Sequence, residues 1–204
     1  MTAGGRRLPR AFFARPSTEV APDLLGRVLV RTLPDGERLT VRIVETEAYQ
    51  EDDAASHSFR GPTARTEVMF GPPGRVYVYF TYGMHFCMNV VTGSNGEGSA
   101  VLLRAGEPLE GIESMRALRG VHDVRALCSG PGKLCRALAV DRANNGDDLV
   151  RGPTLALREG RPVARTSIAV GPRVGIRRAV ERPWRFAVRG DPYVSRARPA
   201  PVTG

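Results

Sequence analysis

Apolar and polar positions alternate at short intervals along most of this chain, the signature of half-buried strands, and helical spacing is confined to a few stretches. Val28-Leu29-Val30-Arg31 and Leu39-Thr40-Val41-Arg42-Ile43-Val44 flank Pro34-Asp35-Gly36, so two β-rich runs around a turn signal predict a hairpin. Val76–Thr81 and Phe86–Val91 predict a second pair joined through Tyr82-Gly83-Met84-His85. Ala100–Arg104 adds a further strand to that sheet. More strands are expected around Thr154–Leu157, Thr166–Val170 and Trp184–Val188. Helices are expected over Ser17–Gly26, with Ser17 as N-cap, over Pro108–Leu118, stopped by Gly120, and around Leu134 and Leu138 after Gly130-Pro131. Residues 51–75, with Gly61-Pro62 and Gly71-Pro72-Pro73-Gly74, form a long loop, and loops of that length inside a compact domain are usually functional. The pattern predicts an α+β fold: one mixed domain over residues 17–195 with a largely antiparallel sheet, a protruding β-hairpin and peripheral helices. Residues 1–16 are expected to be partly flexible and residues 196–204 to form a flexible tail.

With 42% hydrophobic residues in 204, the chain can build a core, which excludes wholesale disorder. No apolar run approaches the roughly 20 residues of a membrane-spanning helix, so a soluble, cytoplasmic protein is expected. Cys87, Cys128 and Cys135 match neither a disulfide framework nor a zinc knuckle and are expected to be small buried hydrophobes. The histidines, His57, His85 and His122, lack metal-ligand spacing, and no metal or cofactor is expected.

Charge changes the picture more. The net charge is +9, yet residues 41–110 carry 5 basic and 9 acidic side chains while residues 151–204 carry 12 basic and 3 acidic. Lys133 is the only lysine, so nearly every cation is a guanidinium suited to gripping phosphate. Nucleic acid is the natural partner for such a chain, although a general habit of writing Arg for Lys would give the same composition.

Within the acidic segment, Val44-Glu45-Thr46-Glu47-Ala48-Tyr49 ends a strand in two carboxylates, and alternation puts Glu45, Glu47 and Tyr49 on one face. A carboxylate beside an aromatic wall is a usable site; a solvated acidic edge strand is the plainer alternative. Tyr77 and Tyr79 share a face of the strand that leads to the hairpin tip. That tip holds Tyr82 and Met84 around the single permissive Gly83, where turn chemistry would favour Asn, Asp or Ser. An apolar side chain held there can wedge between stacked bases, or the turn can pack on its own core. Ser129-Gly130-Pro131-Gly132-Lys133 lacks the spacing of an ATP-binding loop but could meet a phosphate.

The ordered blocks Arg42-Ile-Val-Glu-Thr-Glu-Ala-Tyr49, His57-Ser58, Met69-Phe70, Tyr77-Val-Tyr79, Tyr82-Gly-Met84, Met88-Asn89, Leu102-Leu-Arg104, Glu107-Pro-Leu-Glu-Gly111, Leu127-Cys-Ser-Gly-Pro-Gly-Lys-Leu-Cys135 and Arg173-Val-Gly175 resemble the alkyladenine (3-methyladenine) DNA glycosylase family. His85 stands where the vertebrate pattern has a tyrosine. The resemblance implies a monofunctional glycosylase of base excision repair that flips a damaged purine out of duplex DNA and hydrolyses its glycosidic bond. It implies that Glu47 is the general base, positioning water with Arg104 and the backbone carbonyl of Val174. Tyr49, Ala55, His57 and Tyr79 would form the base pocket, with Asn89 screening out the guanine amine, and Tyr82 with Met84 would enter the duplex. Arg60, Arg65, Lys133 and Arg173 are candidates for phosphate contacts. The expected partner is damaged double-stranded DNA, met as a monomer. A non-catalytic nucleic-acid-binding domain would use the arginines and tyrosines without Glu47, and a nucleoside hydrolase would have little use for an exposed tip.

Overall fold

The computed structural model of this chain describes residues 5–81 and 83–196; Tyr82 and the tail beyond Arg196 lie outside the described residues. The helices are α1 (Arg10–Phe13), α2 (Ser17–Asp23), α3 (Ile112–Arg119), α4 (Val124–Leu127) and α5 (Pro131–Ala137). The strands are β1 (Val28–Thr32), β2 (Arg38–Tyr49), β3 (Val76–Thr81), β4 (His85–Val91), β5 (Ala100–Glu110), β6 (Leu155–Arg158), β7 (Ile168–Gly171) and β8 (Arg185–Val188). They join in one antiparallel sheet of order β3-β4-β5-β2-β1-β6, with β8 pairing β2 and β7 pairing β8. Both predicted hairpins are present, and the fold is α+β with the helices around the sheet.

Everything turns on β2. One of its edges is covered by β5 from Thr40 to Tyr49; along the other, β1 pairs with Arg38–Arg42 and β8 takes over at Glu45–Glu47. The carboxylates therefore lie at the centre of the sheet, which removes the solvated edge strand as an explanation. Two register irregularities fall at this point: Ile43 faces Gly106 and Glu45 faces Ala105, leaving Val44 over, and Thr46 then faces Leu103, leaving Arg104 over. A bulge bends its strand and re-aims a side chain, and here the re-aimed side chain is Arg104.

The main core joins Phe13, Leu24, Leu25 and Leu29 to Met88, Leu103 and Leu134 in one cluster. Each such side chain contributes roughly 1.5–3 kcal/mol by leaving water, so α1, which the pattern did not predict, is anchored by Phe13. Cys87, Cys128 and Cys135 are free and buried. Three expectations need correction. Ser17 begins α2 without a capping bond, its buried Oγ unpartnered, because Pro16 starts the helix instead. Strand β5 runs on to Glu110, because the twelve-residue β2 offers it a partner as far as Thr40. The helix expected from Pro108 accordingly starts at Ile112, after Gly111 at φ +73°, where a Cβ would lie 2.3 Å from Leu39 Cδ2.

Candidate active site

Register assembles the site floor. Tyr77 pairs with Asn89, Asn89 with Leu102, Leu102 with Glu47 and Glu47 with Arg185, a row running across five neighbouring strands from β3 to β8. Over this row opens a cavity of about 490 Å³ lined by Tyr49, Ala55, His57, Tyr77, Tyr79, Asn89, Arg104 and Val174. That volume lies within the range of ordinary small-molecule pockets. Residues placed far apart in sequence are thus brought together as expected, with Tyr77, Cys87 and Leu102 added to the walls.

Glu47, a member of this row, is wholly buried, and the residues that hold it, Tyr49, Arg104 and Val174, line the cavity. Its Oε1 accepts the Val174 N–H at 2.7 Å and lies 3.3 Å from Arg104 Nη1, while Oε2 accepts the Tyr49 hydroxyl at 2.9 Å. Val174 thus meets Glu47 through its N–H, which leaves its carbonyl free of this contact. Burial pushes the Glu47 pKa above the ordinary carboxylate value, against the pull of Arg104, Val174 and Tyr49, and neighbouring Glu45 adds to the rise. Glu45 goes the other way: burial would raise it, but Arg104, the Ser195 N–H and Arg185 outweigh that and hold it below the ordinary value. Two carboxylates whose environments push them apart can take different jobs, one fixed as an anion and one able to exchange a proton.

The aromatic walls are mutually braced. His57 meets Tyr79 edge-on at 4.5 Å between centroids, and Tyr77 lies 5.7 Å from Tyr79. His57 Nδ1 is 3.1 Å from the Tyr77 hydroxyl. Burial, and then the Arg65 charge, lower the His57 pKa, so the ring is neutral at pH 7 and can offer a ring N–H to a base. Burial and the adjacent Glu47 hold the Tyr49 hydroxyl protonated, well above its ordinary value, so it remains a donor. Asn89 donates from Nδ2 to the Tyr77 carbonyl at 3.2 Å, fixing the amide in the floor.

The long loop carrying Ala55 and His57 is pinned from below. Asp53 accepts the Ala55 N–H at 3.0 Å and pairs with Arg173, whose side chain is fully buried. Arg173 also donates to the carbonyls of Ala48 at 3.0 Å and Ala179 at 3.3 Å, and its guanidinium lies over the rings of Tyr49 at 4.6 Å and Trp184 at 5.3 Å. This corrects the expectation of a phosphate contact: a guanidinium committed to a buried carboxylate and two carbonyls cannot meet DNA. Of the other basic residues in the C-terminal quarter, Arg185 pairs with the buried Glu45, while Arg165 with Asp23 and Arg182 with Asp52 form pairs at the surface.

Arg60, Arg65 and Lys133 are exposed as expected, Lys133 donating to Ser129 Oγ at 3.2 Å and Arg65 lying 5.8 Å from the Tyr79 ring. Arg177 and Arg178, missed in the sequence, are exposed at the cavity mouth. At the hairpin tip Gly83 takes φ +67° in open space, and Met84 is 69% exposed, too much for a turn packed on its own core. Among the described residues no group of three or more His, Cys, Asp or Glu side chains is placed to hold a metal, and no helix is long and apolar enough to cross a membrane.

Comparison with known proteins gives this geometry a family. The model of methylpurine-DNA glycosylases matches residues 11–192. A protein of Carboxydothermus hydrogenoformans is 51% identical over 93% of this chain and 98% of its own length. One of Streptomyces avermitilis is 53% identical over 92% and 90%, and one of Methanocella arvoryzae 49% identical over 96% and 98%. All three are provisionally named 3-methyladenine DNA glycosylases. An aromatic cavity beside a buried carboxylate, and sequence likeness across nearly the whole length, lead to one statement: the chain belongs to the methylpurine-DNA glycosylase family, enzymes that hydrolyse N-glycosyl bonds.

Proposed function

We propose that this protein is a monofunctional DNA glycosylase that takes an N-alkylated purine such as 3-methyladenine out of duplex DNA and hydrolyses its glycosidic bond with a water activated by Glu47. The observation that carries the reading is Glu47 itself: buried beside an aromatic cavity, fixed by Arg104, Val174 and Tyr49, with burial raising its pKa.

Extrusion of a base costs a few kcal/mol, less for a damaged pair. Met84, with Tyr82 beside it in sequence, would fill the gap from the exposed tip, while Arg60, Arg65, Lys133, Arg177 and Arg178 hold the backbone. The flipped base would stack among Tyr49, His57 and Tyr79. A fixed positive charge on an alkylated purine adds roughly 0.5–2 kcal/mol of attraction to these rings and makes the base a good leaving group. Asn89, rigid in the floor, would exclude a base carrying the guanine amine, and the Ala55 backbone and His57 would meet the base edge.

As the bond to the base breaks, the sugar becomes cationic and Glu47 faces it as a carboxylate. The electrons of the bond leave with the base, neutralising its charge; water adds to the sugar carbon and its proton passes to Glu47. Arg104 would keep the carboxylate oriented, and the Val174 backbone carbonyl would help hold the water. The enzyme stops at the abasic sugar, because β-elimination needs an amine nucleophile and the only lysine, Lys133, is at the surface, bonded to Ser129.

The test is Glu47→Gln with duplex containing 3-methyladenine or hypoxanthine. The variant is expected to bind lesion DNA as the parent does and to release base at least about 10²-fold more slowly in single turnover. Release near the parental rate refutes the assignment, and borohydride trapping of a protein–DNA adduct refutes the monofunctional reading.

A further inference from the structure

The first carboxylate of Glu45-Thr46-Glu47 has no part in the reaction just described, yet it is wholly buried and bound by three donors. Arg104 Nε at 3.1 Å and Arg185 Nε at 2.6 Å reach Oε1, and the Ser195 N–H reaches Oε2 at 2.9 Å. Arg104 is thereby shared between two acids, Nε on Glu45 and Nη1 on Glu47 at 3.3 Å. A guanidinium is a rigid planar fork, so fixing Nε fixes where Nη1 points. Without the Glu45 charge, Glu47 would be the one anion left to Arg104. The fork would be free to turn two donors to it, and a carboxylate held in a bidentate pair is a poorer base.

We propose that Glu45 is a positioning residue for the glycosylase reaction: it anchors Arg104 from behind, so that Arg104 steadies Glu47 by one edge only and leaves it able to take a proton from water. This rests on Glu47 being the base. The charged groups facing Glu45 are Glu47 on its own strand, Arg104 from β5 and Arg185 from β8, so that with Glu45 itself the cluster holds two acids and two cations. Removing one acid leaves a positive excess, which favours the ionised form of Glu47. Removing Arg185 does the opposite.

The experiment is single-turnover release of 3-methyladenine from duplex DNA, followed as a function of pH at saturating enzyme. The fixed charge of this purine removes the need to protonate the leaving base, so the acid limb reports the base alone. Glu45→Gln is expected to slow release about tenfold or more and to move the acid limb down by about one pH unit. Glu45→Asp, which keeps the charge, should hold the limb at the parental pH. Arg185→Gln should move it up. A folded Glu45→Gln protein with an unmoved limb overturns the proposal, whatever its rate. If that variant does not fold, an Arg185→Gln limb that fails to rise overturns it. Parental release by Glu47→Gln in the same assay would instead place the fault with the identity of the base.

Discussion

The buried pair between Asp53 and Arg173 joins three parts of the cavity, and cutting it has a calculable result. In Asp53→Ala, Arg173 keeps only the carbonyls of Ala48 and Ala179 and its two aromatic neighbours, and its full charge stays buried without an anion. Removing one partner of a buried pair costs about 3–5 kcal/mol. In a domain of this length each kcal/mol lowers the melting temperature by about 2–4 °C, so the variant should melt about 6–20 °C below the parent. Thermal unfolding followed by far-ultraviolet circular dichroism measures this directly. Replacing both partners by apolar residues, Asp53→Leu with Arg173→Met, removes the stranded charge and should recover much of the loss, since apolar replacement of a whole buried pair is often neutral. A single variant melting within about 2 °C of the parent, or a double variant no better than the single one, would refute the reasoning.

Two further outcomes follow from the site's charges. Glu47 has its pKa raised on folding, so its ionised form opposes the folded state above the raised pKa and this penalty disappears below the ordinary carboxylate value; Glu47→Gln, with Glu45 still pairing Arg104, should therefore melt no lower than the parent at neutral pH and lose any advantage in acid. A variant that melts lower at neutral pH but matches the parent in acid would show the sign to be wrong. Arg177→Gln with Arg178→Gln removes two exposed guanidiniums at the mouth and should reduce the dependence of log binding constant on log salt by about 1.8, two phosphate contacts at ~0.9 each; an unchanged slope in a salt titration of lesion-duplex binding would exclude both from phosphate contact.

Much of the sheet was legible because its signals are local. Pro34-Asp35-Gly36 between alternating runs gave β1 and β2, and parity correctly placed Tyr77 with Tyr79 and Glu45 with Glu47. The helix expected from Pro108 failed because the spacing of Leu109, Ile112 and Met115 is helical while β2, a strand from the first quarter of the chain, claims residues up to Glu110. Arg104 could be selected by resemblance, but its aim comes from a bulge that exists only once β2 and β5 are in register. Arg173 was misplaced for a similar reason: nothing around it distinguishes it from Arg177 or Arg178, and the residue that buries it, Asp53, lies 120 positions away. Exposure of one arginine among many is a property of the packed molecule.

The takeover of the β2 edge by β8 sets a timetable for synthesis. Glu45, Glu47, Tyr49 and Asp53 leave the ribosome early, while Arg173, Val174, Arg185 and Ser195, which hold them, are made near the end of the chain. Until then two acids sit on a strand whose second half is paired with β5 along one edge and open along the other, a state that favours pairing with other chains and delays completion of the cavity. The contacts that fix Glu45 and Glu47 thus come from residues far apart in the chain, and loss of Ser195 would take a donor from a carboxylate at the centre of the sheet rather than trim a margin.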